Sequence, residues 1–277
     1  MLAARSPEAD SAWPGEVAVA DGLLRFVMAG EGAPVILLHG WTLDHRLWQP
    51  QVAGLAKDFF LVMPDRRGCG QTTAPPDLSR EADDVIAIAD FLGFDRFALV
   101  GLSQGAVVAL DVARKFSSRL TGIVVSGAPL PCLVERDEAI DLDRYRALAA
   151  AGDMAAMRSD WARHPLMRTH TPEARSLAEA MLADYDGRDL LAPSGPPGLP
   201  REVLEHLAVP VLALAGEHDT SWRRTCAAAL ADLAPCGRHA LIAGAGHLAN
   251  CDNPQAFDAL AGDFLRRCAD PGKRPIP

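Results

Sequence analysis

A serine at the centre of a tight, glycine-flanked turn is the residue whose setting most directly suggests chemistry. Gly101-Leu102-Ser103-Gln104-Gly105 follows the apolar run Phe97 to Val100. This G-x-S-x-G order predicts a strand, a sharp turn and an immediate helix, with the serine at the apex. Glycine tolerates the unusual dihedral angles and the close backbone approach that such a turn requires. The free N–H groups at the start of the helix favour an anion forming beside Ser103. The pattern therefore predicts a serine nucleophile.

An imidazole and a carboxylate must accompany such a serine, because a hydroxyl is a poor nucleophile until a base takes its proton. His247 lies in the glycine-rich segment Gly244-Ala245-Gly246-His247 after the last predicted strand, and Asp219 follows the strand before it. The order Ser103, Asp219, His247 is the one in which nucleophile, acid and base occupy successive strand ends. Two alternatives stay open: Glu217 is a rival acid, and Asp219 is also a favoured residue type for capping the helix that follows it.

Chemistry at a carbonyl carbon also needs two N–H groups aimed at the oxygen as it gains negative charge. We expect one from the backbone of Gln104, directly after the serine. The other is expected from Trp41, in the loop His39-Gly40-Trp41 that follows the third predicted strand. His39 is interpreted as a hydrogen-bonding residue beneath that loop. This chemistry uses no metal or organic cofactor, and the sequence predicts none.

The elements that must position these residues alternate between strand and helix. A hairpin is predicted around Asp21-Gly22, and buried strands are predicted at 34–38, 59–63, 97–100, 120–125, 210–215 and 239–242. The alternation predicts an α/β fold: a mostly parallel sheet with helices on both faces. Residues 130–207 contain helical segments and prolines but no convincing strand, so we predict an inserted helical cap there. The predicted core comprises 16–129 and 208–268, with flexible ends at 1–15 and 270–277.

Composition limits the class of partner. The 277 residues are 49% hydrophobic, which is ample for one large domain with an insertion. A net charge of −9 argues against a nucleic-acid or anionic-membrane surface, because both need clustered Lys and Arg. The six cysteines lack metal-ligand spacing, and no signal peptide or membrane-length apolar run is recognised. We therefore expect a cytoplasmic protein with a small-molecule substrate, while a homo-oligomer stays open.

Five segments together resemble the α/β-hydrolase superfamily over residues 16–268: His39 to Trp41, Asp65 to Gly70, Gly101 to Gly105, Gly216 to Asp219 and Gly244 to His247. The resemblance extends to a branch of small cap-bearing esterases, 3-oxoadipate enol-lactonases, carbon–carbon bond hydrolases and cofactor-free haloperoxidases. It implies a serine hydrolase that acts on a small carboxylic ester or lactone through an acyl-enzyme. Carbon–carbon cleavage or perhydrolysis with the same triad is the alternative. A cofactor-free dioxygenase or a ligand-binding protein of the same fold ranks lower, the former because Leu102 stands where such dioxygenases carry histidine.

The predicted cap supplies candidates for the substrate pocket. Trp161, Leu166 and Met167 are expected to form one wall, since pockets are mostly apolar and a cap lies at a domain junction. Arg163, together with Arg168 and Arg188, suggests recognition of a substrate carboxylate, because arginine binds planar anions in a bidentate way.

Overall fold

A sheet of eight strands forms the centre of the computed structural model, which describes residues 12–192 and 198–270. The strands are β1 (Trp13–Val19), β2 (Gly22–Ala29), β3 (Ala33–Leu38), β4 (Phe59–Pro64), β5 (Phe97–Leu102), β6 (Leu120–Ser126), β7 (Val211–Gly216) and β8 (Gly237–Ile242). Their order across the sheet is β1-β2-β4-β3-β5-β6-β7-β8. The pairs β1–β2 and β2–β4 are antiparallel, and all the other neighbouring pairs are parallel. The carboxyl ends of β3 to β8 therefore share one edge.

Helices cover both faces of this sheet. Those in the described residues are α1 (Gln49–Leu55), α2 (Glu81–Phe91), α3 (Gln104–Phe116), α4 (Leu142–Ala150), α5 (Met154–Trp161), α6 (Pro172–Asp184), α7 (Arg201–Glu205), α8 (Ser221–Leu233), α9 (Ala249–Asp252) and α10 (Pro254–Ala269). Helices α2, α3 and α8 pack on one face, and α1 and α10 pack on the other.

Each face has its own hydrophobic core because side chains of a strand alternate between the two sides. In β3, Ile36 and Leu38 join the core under α2, α3 and α8, whereas Val35 and Leu37 join the core under α1 and α10. All four side chains are buried. This two-sided burial explains why the parallel strands appear in the sequence as continuous apolar runs.

The predicted fold class is confirmed, with small differences at the sheet margins. Strand β1 begins at Trp13, inside the N-terminal arm predicted to be flexible, because residues 13–19 pair with β2. The hairpin turn is Ala20-Asp21, one residue earlier than predicted. At the opposite margin β8 is half-exposed, since it pairs only with β7. The remaining predicted flexible residues, 1–11 and 271–277, lie outside the described residues.

The segment between β6 and β7 contains α4 to α7 and, in its described residues, no strand. We call residues 130–207 the cap, as predicted from the sequence; its boundaries stay a prediction. Tyr145, Met157 and Trp161 of the cap join the same hydrophobic core as α1 and α10. None of the helices in the described part of the chain is long and apolar enough to cross a membrane.

Candidate active site

Ser103 lies between β5 and α3 in a strained backbone conformation, with φ of 53° and ψ of −113°. Its flanking glycines make this turn possible. A Cβ on Gly101 would lie 2.5 Å from the carbonyl oxygen of Gly105, and one on Gly105 would lie 2.2 Å from that of Leu38. The Ser103 N–H donates to Ser126 O at 2.8 Å, which fixes the turn to the neighbouring strand. The chain thus holds a serine at the carboxyl edge of the sheet, at the start of a helix.

His247 and Asp219 form a buried pair at the same edge. The Nδ1 atom of His247 lies 2.9 Å from Oδ2 of Asp219. Because a carboxylate only accepts hydrogen bonds, Nδ1 carries the hydrogen and Nε2 is left as an acceptor. The rival acid, Glu217, is exposed and accepts from Gly244 N instead. The capping role considered for Asp219 falls to Thr220, whose hydroxyl accepts from the third residue of α8.

Two of the three residues line one cavity, but the serine hydroxyl contacts a different partner. Ser103 and His247 both line the cavity. Within the described residues, no hydrogen bond joins Ser103 Oγ to His247; the oxygen accepts from Arg223 Nη1 at 3.4 Å. Catalytic hydrogen bonds are often long or poorly aligned before substrate binds, and serine changes rotamer readily between staggered positions. The arrangement can therefore support proton transfer from Ser103 to His247 after a side-chain rotation.

The two N–H groups expected to bind an oxyanion, those of Trp41 and Gln104, belong to residues that line the cavity beside Ser103. Neither donates a hydrogen bond to another of the described residues. The loop carrying Trp41 lies close to the turn at Ser103, because a Cβ on Gly40 would lie 3.4 Å from Cβ of Ser103. Both N–H groups thus lie near Ser103 and have no partner among the described residues.

The buried ion pair of Arg66 and Glu81 contacts Gln104, which carries one of these N–H groups. Arg66 donates to Glu81 through Nε at 2.6 Å and through Nη2 at 2.9 Å, and Nη2 also donates to Oε1 of Gln104. The Arg66 backbone N–H donates to Nε2 of His39 at 2.9 Å. The other ring nitrogen, Nδ1, therefore donates to Gly40 O at 2.8 Å. The predicted role of His39 beneath the loop agrees with this geometry.

Burial, aided by the nearby Arg66 charge, lowers the pKa of His39 to about 4. The neutral ring is the form that can accept from the Arg66 N–H, because a protonated imidazole has two donors and no acceptor. His39 is therefore neutral at physiological pH and does not compete with His247 as a base.

The side chain of Trp41 connects the loop His39-Gly40-Trp41, which we call the oxyanion loop after its predicted role, to the cap. Its indole N–H donates to Asp189 Oδ2 at 2.7 Å and lies 3.1 Å from the Tyr185 hydroxyl. That hydroxyl donates to the other oxygen of Asp189 at 2.6 Å. Trp161 packs on Trp41 with ring centroids 4.7 Å apart and donates to Thr42 Oγ1 at 2.9 Å. Burial raises the pKa of Asp189 despite these hydrogen bonds.

The cavity between cap and sheet has a volume of about 690 Å³. Trp161, Leu166 and Met167, the predicted wall, all line it. Arg163 does not line it. Its side chain is 69% exposed and pairs with Asp160 at 3.0 Å, because it follows the end of α5 on the solvent side. Arg168 and Arg188 are also absent from the lining.

Several charged residues at the cavity were not identified from the sequence. Arg136, Arg146, Arg223 and Asp189 line it, and Glu138 binds Arg223 beside it. One signal was available for Arg223: it is a cation in the first turn of a helix, where the helix dipole disfavours positive charge. The other three have partners nearby in the sequence, Arg136 with Glu138, Arg146 with Asp143 and Asp189 with Tyr185, but those pairs do not show that the residues face a cavity.

Asp44, His45 and Asp65 place three potential metal ligands within reach of one another. Their oxygens already accept from N–H groups: Asp44 from Arg46, and Asp65 from His45 and the Gln71 backbone. The cluster is therefore explained as bracing of the loop after β3.

Comparison with known proteins agrees with this geometry. The model of the Alpha/beta hydrolase family matches residues 35–260. The 3-oxoadipate enol-lactonase 1 of Acinetobacter baylyi is 26% identical over 253 residues, which cover 85% of this chain and 90% of that protein. The 2-succinyl-6-hydroxy-2,4-cyclohexadiene-1-carboxylate synthase of Salmonella paratyphi C is 30% identical over 247 residues, covering 83% and 93%. A thermophilic esterase from Thermogutta terrifontis, solved with malate bound, superimposes with a TM-score of 0.79 at 24% identity, over 93% of this chain and 100% of that one.

Proposed function

Because the chain belongs to the alpha/beta hydrolase family, we propose that it is a serine hydrolase that cleaves small carboxylic esters or lactones. The observation that carries the proposal is the buried His247–Asp219 hydrogen bond at the cavity that also holds Ser103 on its strained turn. On this proposal His247 is the base, Asp219 is the acid that orients it, and Ser103 provides a half-buried hydroxyl at the cavity. Relatives named as an esterase and an enol-lactonase support the substrate class.

The proposed mechanism proceeds in two halves. In the first, Nε2 of His247 takes the proton of Ser103 as Oγ attacks the carbonyl carbon, and Asp219 stabilises the imidazolium. The N–H groups of Trp41 and Gln104 bind the oxyanion. The tetrahedral intermediate then breaks down and releases the alcohol, which receives the proton from His247. An acyl-enzyme remains. In the second half, His247 deprotonates water, which attacks the acyl carbon and releases Ser103 and the acid.

The cavity favours a compact, largely apolar acyl group. Its volume of about 690 Å³ suits a small molecule, and Trp161, Leu166 and Met167 provide apolar contact. A lactone differs from an open ester because its leaving alcohol stays attached to the acyl chain. Both ring and acyl group must then fit beneath the cap together, which the size of the cavity permits.

Steady-state hydrolysis of 4-nitrophenyl esters of increasing acyl length, and of five- and six-membered lactones, tests the proposal. Ser103→Ala and His247→Ala are expected to lower kcat by about 10⁴-fold or more, and Asp219→Asn by about 10⁴-fold. Glu217→Gln is the matched control two residues from Asp219 and should stay within about twofold of the wild type. A fluorophosphonate should label the wild type and Glu217→Gln, but not Ser103→Ala.

Opposite results would remove the proposal. An unlabelled Ser103, with no turnover of any ester or lactone, would favour a ligand-binding protein. Loss of activity in Glu217→Gln with full activity in Asp219→Asn would show that the acid is misassigned. Carbon–carbon cleavage and perhydrolysis with the same triad stay alternatives; analysis of products from vinylogous diketones, and from esters with hydrogen peroxide, separates them from simple hydrolysis.

A further inference from the structure

Arg223 places a buried guanidinium against the nucleophile. Its Nη1 lies 3.4 Å from Oγ of Ser103 and donates to Gly127 O at 2.7 Å. Its Nε and Nη2 donate to the two oxygens of Glu138 at 3.0 and 2.7 Å. The residue is only 2% exposed and lines the cavity. The hydrogen bonds to Gly127 O and to the two oxygens of Glu138 thus fix the guanidinium, and its remaining hydrogen bond is with Oγ of Ser103.

This position is unfavourable for a residue with a purely structural role. Arg223 is the third residue of α8, where the positive end of the helix dipole disfavours a cation. Removing both Arg223 and Glu138 from water carries a desolvation penalty that apolar residues of similar volume would avoid. The partner is ionised as well: although burial opposes it, the Arg223 guanidinium holds the pKa of Glu138 below its usual range.

We propose that Arg223 is a further catalytic residue, whose Nη1 stabilises the negative charge that develops on Oγ of Ser103. The proposal rests on the proposed function, since it takes Ser103 as the nucleophile. In acylation the Oγ–H bond breaks, its proton goes to Nε2 of His247 and then to the departing alcohol, and the Oγ–C bond forms. In deacylation water loses a proton to His247 and attacks the acyl carbon, the Oγ–C bond breaks with its electron pair returning to Oγ, and His247 gives that proton to Oγ. Oγ bears negative charge as it attacks and as it departs, and these are the stages at which Nη1 would stabilise it.

The proposal requires both interactions together after the Ser103 side chain has turned towards His247, with Oγ still within reach of Nη1. A hydroxyl has one hydrogen to donate and lone pairs to accept, so Oγ can accept from Arg223 while donating to His247. The 3.4 Å separation is long for the neutral hydroxyl, and it should shorten as charge grows, because hydrogen bonds to ionised groups are shorter and stronger. Because the negative charge of Glu138 offsets the positive charge of Arg223, Arg223 would act on Oγ through a directed hydrogen bond and not through its net charge.

The experiment measures the single step in which Oγ attacks. The second-order rate constant for phosphorylation of Ser103 by diisopropyl fluorophosphate is determined together with kcat and KM for 4-nitrophenyl acetate, whose acyl group carries no anion for Arg223 to bind. The test protein is the double variant Arg223→Met/Glu138→Leu, which removes both partners of the ion pair and leaves no unpaired buried charge. Arg267→Met, an exposed residue near the end of α10, is the matched control.

We expect the double variant to react about 10–100-fold more slowly, with kcat reduced and KM little changed, as for loss of one hydrogen bond to a charged group. Arg267→Met should stay within threefold of the wild type. Should the double variant not fold, Arg223→Lys replaces it with the same expectation, because one ammonium cannot hold Glu138, Gly127 O and Oγ in a fixed fork.

Two results would overturn the inference while leaving the proposed function intact. One is a wild-type rate in the folded double variant, or in Arg223→Lys. The other is an equal loss in Arg267→Met, which would show that the loss does not come from the position of Arg223. Absence of phosphorylation in the wild type would instead refute the proposed function, and this inference with it.

Discussion

Gly127 offers a test of the candidate active site that leaves every proposed catalytic side chain in place. It follows β6 with φ of +57°, and a Cβ there would lie 2.7 Å from Cε1 and 2.8 Å from Nδ1 of His247. The same Cβ would lie 3.2 Å from Oδ2 of Asp219. Replacing Gly127 by alanine therefore pushes on the hydrogen bond between the proposed base and its acid.

The size of the effect follows from these contacts. Ordinary van der Waals contact begins at 3.4 Å, so the imidazole of His247 must retreat by about 0.7 Å. A misplacement of roughly 1 Å costs about 10²-fold in rate, and we expect a loss of kcat/KM of this order in Gly127→Ala. The left-handed backbone adds a separate cost of about 1–2 kcal/mol in the free energy of unfolding.

A matched variant separates the two contributions. Gly93 lies in the turn after α2 with φ of +74°, and a Cβ there would meet nothing within 4 Å. Gly93→Ala should therefore lose similar backbone stability and no activity. Urea unfolding gives the stability of both variants, and hydrolysis of 4-nitrophenyl acetate together with fluorophosphonate labelling gives their activity.

The reasoning is refuted if Gly127→Ala, folded and with the stability of Gly93→Ala, hydrolyses esters at the wild-type rate. His247 would then either not participate or tolerate the displacement. Equal activity losses in both variants would show that backbone strain alone, and not the contact with His247, controls the rate.

Two further predictions concern the buried groups beneath the oxyanion loop. The pKa of His39, about 4 in the fold, lies below that of the unfolded chain, so the unfolded state binds more protons between about pH 6.5 and pH 4. Stability should fall as pH falls through that window, by up to about 3 kcal/mol; thermal unfolding of the wild type and His39→Gln measures it, and parallel curves would contradict it. Glu81→Ala leaves Arg66 buried without its partner and should cost about 3–5 kcal/mol in urea unfolding, whereas the exposed pair partner Glu205→Ala should cost less than about 1 kcal/mol. A loss in Glu81→Ala no larger than that in Glu205→Ala would refute the second.

The fold could be predicted, and a triad could be proposed, because the signals for both are local. Continuous apolar runs such as Val35 to Leu38 indicate strands buried on both faces, and the glycines around Ser103 indicate a turn that other residues cannot adopt. Parallel strands end at one sheet edge, so side chains that follow β5, β7 and β8 are brought together even though they are distant in sequence. This is why Ser103, Asp219 and His247 could be proposed together.

The pairing of Arg223 with Glu138 could not be predicted because it is set by tertiary packing. Glu138 and Arg223 are 85 residues apart, and nothing near either one identifies the other. The cap posed the same problem for Arg163. Which face of a cap helix meets the cavity depends on how the whole cap packs on the sheet. Trp161 lines the cavity, whereas Arg163, two residues later, faces water.

The hydrogen bond from the Trp41 indole to Asp189 joins the loop after β3 to the cap, so the cap cannot be exchanged without affecting that loop. Exchanging residues 130–207 for the corresponding insertion of another hydrolase is an obvious route to a new substrate range. Such a chimaera would lose the carboxylate that anchors the tryptophan, and the backbone donor on the same residue would lose its support. A graft that keeps Asp189 and Tyr185 should retain turnover on substrates it can admit. On the proposed mechanism, an exchange of the cap would change substrate choice and rate together.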